Sequence, residues 1–249
     1  MTEVINLKKG QTIDLRKNAR GVDTYDLTSV TIGLGWDIRQ KKQGFLGELF
    51  GKKEGDYDLD AIAFCLDSND KVANLGQEAK TSNGMRIPFQ KSDVIYFNNL
   101  TAPSGNFGVY RNLSKPEIEK KVHQLITAGE YIIHTGDNLT GEGEGDDEQI
   151  IVRLNSLPQR IQKIVFLVCI YQGKQKNQHF GMVENAFIRA VDAKGKEITR
   201  YSLSSNDTFN NMCSMTFAEI ARKNNGWEFK AIGIPHETDL FVQILKQYL

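Results

Sequence analysis

The chain has 249 residues, 40% of them apolar and 25% charged, with 31 basic and 31 acidic side chains and a formal net charge of zero. That length fits one large domain or two small ones of ordinary globular composition, and zero net charge provides no whole-molecule field toward nucleic acid or membrane. The longest apolar run, IVFLVCIY at 164–171, is far too short to span a bilayer, and the N-terminal MTEVINLKKGQT lacks the apolar run of a signal peptide.

Most of the chain reads as short strands bounded by Gly, Asn, Asp or Pro. SVTIGLGW (29–36) alternates and is rich in β-branched residues. AIAFCL (61–66), VIYFNNL (94–100), YIIHT (131–135), IIVRL (150–154), KIVFLVCIY (163–171) and AFIRAV (186–191) follow. WEFKAIG (227–233) comes directly after Asn225-Gly226, a tight-turn signal. SNDKV (68–72) and DAKGKE (192–197) read as turns between strands.

Three segments read as helices. Ser114 and Glu117 form a capping-box pattern at the head of SKPEIEKKVHQLITAG, Ile118, Val122 and Leu125 recur at helical spacing, and Gly129 stops the run. MTFAEIARKN (215–224) and DLFVQILKQYL (239–249) are the other two amphipathic stretches. Strands dominate without βαβ alternation, so the expected fold is mainly β, a two-sheet β-sandwich. Two similar halves are also suggested. SVTIGLGWD (29–37) is similar to KIVFLVCIY (163–171), and DAIAFCLDSNDKV (60–72) to ENAFIRAVDAKGKEI (184–198).

Cys65, Cys169 and Cys213 are an odd number at unpatterned spacing. Cys65 and Cys169 sit inside apolar segments, so buried free thiols in a reducing cytosol are expected.

The most unusual stretch is GDNLTGEGEGDDEQ (136–149). It carries six acidic side chains and four glycines, with no Lys or Arg between Lys121 and Arg153. Charges this dense repel one another and favour a solvated chain, yet a core-like strand follows at once. Nearby, Asp56-Tyr57-Asp58-Leu59-Asp60 alternates, so an extended strand places its three carboxylates on one face. Asp37 ends another strand. Two readings stand: an acidic loop exposed to water, or oxygen donors gathered around a hard cation such as calcium.

Spacing excludes an EF-hand, because Leu139 and Glu142 fall where that loop needs an oxygen ligand and a glycine. The four histidines show no zinc spacing, and His134 reads as a packing residue. Gly141, Gly143 and Gly145 superficially suggest a phosphate loop, but Glu142, Glu144 and Asp146 would repel phosphate. A metal-dependent hydrolase acting on phosphorylated small molecules is the alternative reading. KKQGFLGELFGKK (41–53) mixes four lysines with Phe45, Leu46, Leu49 and Phe50, as a pinned surface loop or a docking patch would.

These pieces together resemble the TerD family of tellurium-resistance and stress-response proteins. The matching segments are INLKKGQTIDL, VTIGLGWD, YDLDAIAFCLD, VIYFNNL, HTGDNLTGEGEGDDEQI, KIVFLVCIY, FGMVENAFIRAVD and WEFKAIG, most of residues 4–234. The resemblance implies a calcium-binding β-sandwich without an established enzymatic activity. It also implies a bacterial cytoplasmic setting and partners among other tellurite-resistance proteins at the inner membrane.

Carried over by motif, the ligands are Asp37, Asp58, Asp60, Asp137, Asn138, Glu142, Asp146, Asp147 and Glu148, enough oxygens for two calcium ions. The expected organisation is a single domain over 1–249. Compared with the family, it carries a helical insertion at 111–130 and a C-terminal extension at 234–249.

Overall fold

The computed structural model describes residues 4–17, 19–22, 24–38, 57–80, 83–105, 113–135, 146–203, 207–224 and 226–249. Within them the chain forms two large sheets. The first contains β1 (Ile5–Leu7), β3 (Val30–Ile38), β8 (Thr101–Ala102), β9 (Ile132–His134), β10 (Glu148–Val152), β12 (Val183–Asp192) and β13 (Glu197–Ser202), in the order β1-β13-β12-β3-β10-β9-β8. The second contains β2 (Thr12–Asp14), β4 (Leu59–Leu66), β7 (Val94–Ile95), β11 (Lys163–Ile170), β14 (Ser214–Lys223) and β15 (Gly226–His236), in the order β2-β15-β14-β11-β4-β7. A separate hairpin joins β5 (Gln77–Lys80) to β6 (Arg86–Gln90). The expected mainly β, two-sheet architecture is what forms.

Side-chain parity explains the layers. In β4, Leu59, Ala61, Ala63 and Cys65 join the core between the sheets, together with Ile32 and Leu34 of β3 and Ile164, Phe166 and Val168 of β11. Ile62, Phe64 and Leu66 turn to the other face, where α3 (Phe241–Leu245) covers them. Phe64 meets Phe241 and Tyr248 at ring separations of 6.4 and 5.7 Å. β4 is therefore buried on both faces, and its sequence is apolar throughout. The first sheet has a third layer. There α1 (Lys115–Thr127) places Ile118, Val122 and Leu125 against Ile133 and Ile151. Its start follows the expected cap, with the Glu117 carboxylate accepting the Ser114 N–H at 2.7 Å.

Two expectations are corrected. Residues 215–224 are not helical: they form most of β14, paired with β11 and β15. A bulge near Phe217 shifts the parity within MTFAEIARK, so its apolar positions mimic helical spacing. VIYFNNL is a strand only at Val94–Ile95. Beyond it Tyr96 and Asn99 exchange backbone bonds around a tight turn. The Asn99 amide holds that turn by donating to the Val94 carbonyl at 2.7 Å.

The suggested internal similarity has a structural counterpart. Each half sends its first strand to one sheet and its second to the other, so β3 pairs with β12 and β4 with β11. The turns that follow β4 and β12 agree residue by residue. Asp67 accepts the N–H groups of Asn69 and Lys71 at 2.8 and 3.0 Å. Asp192 accepts those of Lys194 and Lys196 at 2.9 and 2.8 Å. Asp70 and Gly195 both take positive φ, at 60° and 78°.

Candidate functional site at one end of the sandwich

Six of the nine expected ligands, Asp37, Asp58, Asp60, Asp146, Asp147 and Glu148, lie within the described residues. Asp137, Asn138 and Glu142 lie outside them, as do Asp56 and the lysine-rich segment 41–53. The six lie at one end of the sandwich, where β3 finishes and β4 and β10 begin, but on different faces of the two sheets.

Glu148 shows how strand parity aims a side chain. Ile150 and Val152 of β10 face the inter-sheet core while Ile151 faces α1, which places Glu148 on the core side. Its side chain is 1% exposed, and Oε2 accepts the Ala61 N–H on the opposite sheet at 2.5 Å. His134 of β9 has the same parity. Its Nε2 lies 3.1 Å from the Ala61 carbonyl, which makes it the donor, and 3.6 Å from Glu148 Oε2. Burial pushes the His134 imidazole down to about 4, against the opposing pull of its bond to Ala61. β7 pairs with β4 at Ala63 and Phe64. Ahead of that pairing, Ala61 has both backbone groups satisfied by side chains from the facing sheet.

Asp60 occupies the next position along β4, 8% exposed and opposite Cys169 of β11. Asp58 is half-buried one pleat earlier, and its carbonyl accepts the Tyr171 N–H at 2.7 Å. Tyr57 and Leu59 point into the core, as the alternation requires. Asp147 continues the β10 ladder. Its N–H donates to Leu34 O at 2.7 Å and its carboxylate accepts the Trp36 N–H at 2.9 Å. Asp37 is exposed, and Asn185 donates to it at 2.7 Å from a bulge in β12.

Asp146 is engaged differently. Arg189 of β12 grips its carboxylate through Nε at 2.7 Å and Nη2 at 3.0 Å, and Gln149 adds a bond at 3.1 Å. The Asp146 side chain is 1% exposed and rests on Gly33, where a Cβ would stand 2.2 Å from its carboxyl carbon. The second edge of Arg189 donates to Glu197 at 2.8 Å. This two-oxygen pairing raises the Arg189 pKa and answers the charge of Asp146 with protein. Sequence reasoning missed Arg189 and Asn185, which no local pattern marks. Gly33 carried a usable signal, since a glycine within an alternating strand often marks close approach by another group.

Among the described residues, no three His, Cys, Asp or Glu side chains stand close enough to hold a metal ion by themselves. The three cysteines are free and buried. Burial pushes the Cys169 thiol up to about 12, which keeps it protonated and unreactive.

Comparison with known proteins gives a consistent picture. A model of the TerD domain matches residues 3–78 and 122–248. The tellurium resistance protein TerX of Serratia marcescens is 48% identical over 245 residues, spanning 98% of this chain and 99% of its own length. The stress response protein SCP2 of Bacillus subtilis (strain 168) is 34% identical over 246 residues, with 98% and 99% covered. A solved Streptomyces coelicolor A3(2) homologue of the telluride resistance protein TerD shares the fold, with a TM-score of 0.50 at 16% identity over 91% of this chain and 99% of that one. The family match omits 79–121, which holds most of the β5–β6 hairpin, β7, β8 and the first half of α1. It runs on through 234–248.

Proposed function

This chain belongs to the TerD family, and from that premise we propose that it is a calcium-binding stress-response module of the tellurite-resistance type, working by binding rather than by catalysis. The observation that carries the calcium reading is that Asp58, Asp60, Asp147 and Glu148 all lie at one end of the sandwich, where β4 of one sheet and β10 of the other begin and Glu148 bridges to Ala61. Glu148 is buried between the sheets, Asp58 and Asp60 lie on the other face of β4, and the acidic sequence 136–145 leads into β10. A concentration of carboxylates at one end of a fold favours a cation that offsets them.

The donor set suits a hard cation. Every described candidate is an oxygen ligand, and the one nearby imidazole is committed to the Ala61 carbonyl. The described carboxylates supply part of a coordination shell, and Asp137, Asn138 and Glu142 are the proposed remainder. Two calcium ions are proposed, with backbone carbonyls and water completing their shells. Asp37 stands at the rim. Asp146, engaged by Arg189, is assigned as the anchor that fixes where the acidic segment joins β10.

Calcium bound there would tie the start of β4 in one sheet to the start of β10 in the other. Ion binding would then be read out as rigidity of this end of the sandwich. Proposed partners are other tellurite-resistance proteins at the inner face of the membrane, reached from the cytoplasm. Among the described residues, no helix is long and apolar enough to cross a membrane.

Thermal melting of EDTA-stripped protein tests the reading. The expected outcome is a melting temperature that climbs with added calcium and saturates, and that millimolar magnesium does not reproduce. A melting curve indifferent to calcium would remove the calcium role.

A further inference from the structure

The opposite end of the sandwich holds a cleft of about 750 Å³, where β14 and β15 turn and β10 gives way to the 154–162 connection. Its size falls in the range of small-molecule sites. Among the described residues no acidic side chain lines it; Arg16, Tyr25, Gln159, Gln162, Arg222 and Trp227 do, with smaller contributions from neighbouring apolar and amide side chains.

Arg222 is fixed in place. Its guanidinium lies 4.5 Å over the Trp227 ring, Nε donates to the Ile161 carbonyl at 3.0 Å, and Nη2 donates to the Leu157 carbonyl at 2.9 Å. Among the described residues no carboxylate pairs with it. Arg16 brings a second guanidinium, aligned by two bonds to Asp14 and lying where a Cβ on Gly226 would collide with it. The Tyr25 hydroxyl is buried without a hydrogen-bond partner among the described residues, and the Lys196 ammonium sits 4.6 Å from its ring centre.

We infer that this cleft binds a small phosphate ester, its phosphate held by the fixed guanidinium of Arg222 with the Tyr25 hydroxyl, and its organic part lying along Gln159 and Gln162. Three features carry the assignment. A guanidinium held flat by an aromatic ring and two carbonyls is preorganised to donate to an oxyanion. A buried hydroxyl lacking a protein partner is completed by an acceptor from a ligand. The remaining Nη1 and Nη2 donors of Arg222 with the hydroxyl match the three terminal oxygens of a phosphate monoester better than the two of a carboxylate. The inference does not depend on calcium at the acidic end.

The test is calorimetric titration of the full chain with glycerol 3-phosphate, glycerate and inorganic phosphate. Saturable binding of glycerol 3-phosphate is expected, about tenfold or more tighter than glycerate, and weakened about tenfold or more in Arg222→Gln. Inorganic phosphate should bind more weakly than the ester, since it leaves the amide wall untouched. Because Arg222 also holds two carbonyls, Tyr25→Phe is the decisive variant if Arg222→Gln fails to fold: it removes a hydroxyl that bonds nothing among the described residues. That variant should bind the ester at least about threefold more weakly. Absence of saturable ester binding, preference for glycerate, or an unmoved affinity in Tyr25→Phe would each overturn the inference.

Discussion

The two ends of this sandwich are built from the same strands and carry opposite chemistry. β14 runs from Ser214, beside Cys169 at the acidic end, to Arg222 at the basic cleft. Its ten residues span roughly 30 Å at ~3.3 Å each. β10 opens on Glu148 and leads to Leu154, again from acid to cleft. The two ends are separated by several times the Debye length of about 8 Å at physiological salt. The ends also differ in how charge is answered. At the acidic end Arg189 is the cationic partner described, and it answers Asp146. At the other end Arg222 is held, among the described residues, by two carbonyls and an aromatic ring. Strand ends on a packed core can therefore carry unlike sites without compromising the strands between them.

Breaking the acidic end is easiest at Arg189. Arg189→Ala leaves Asp146 buried without its bidentate partner, and the expected loss is about 3–4 kcal/mol in urea denaturation. A loss below about 1 kcal/mol would mean that the pair anchors nothing. The pH response should separate the two ends next. The folded His134 imidazole is held near 4, below its ordinary 6.5, so between those values the unfolded chain binds the extra proton. Stability is complete above pH 6.5 and falls as pH drops toward 4, by about 3 kcal/mol. His134→Gln keeps a donor for Ala61 and should flatten that slope. An equally steep slope in the variant would place the acid sensitivity elsewhere.

A calcium-linked gain of about 2.7 kcal/mol, expected at a free concentration about 100 times Kd, should largely vanish in Asp60→Asn. Retention of the full gain would remove Asp60 from the ligand set. The smallest effect is the cross-term. Arg222→Gln should leave the calcium response within about 0.5 kcal/mol of the parent, since sites this far apart add independently. A larger shift would show that the two ends are coupled.

Much of this was legible in the sequence because strand alternation is a local pattern. Parity placed Asp58 and Asp60 opposite Tyr57 and Leu59, and the Ser114–Glu117 cap marked the start of α1. What failed depended on pairing. The 215–224 segment reads as amphipathic at helical spacing, and only its neighbours β11 and β15, with their bulge, make it a strand. The anchoring pair joins Asp146 to Arg189 across 43 residues and rests on Gly33 from a third strand. No window of sequence contains that arrangement. The cleft around Arg222 escaped notice for the same reason, since its lining comes from segments spread between Arg16 and Trp227.

The central claim is that the acidic end is a calcium site, and calorimetric titration of EDTA-stripped protein with calcium, against a magnesium background, tests it most directly. The account predicts saturable heat with an integral stoichiometry near two, insensitive to millimolar magnesium and sharply reduced in Glu148→Gln, which keeps an acceptor for the Ala61 N–H while removing the charge. Absence of heat, or an isotherm unchanged in Glu148→Gln and Asp60→Asn alike, would contradict it.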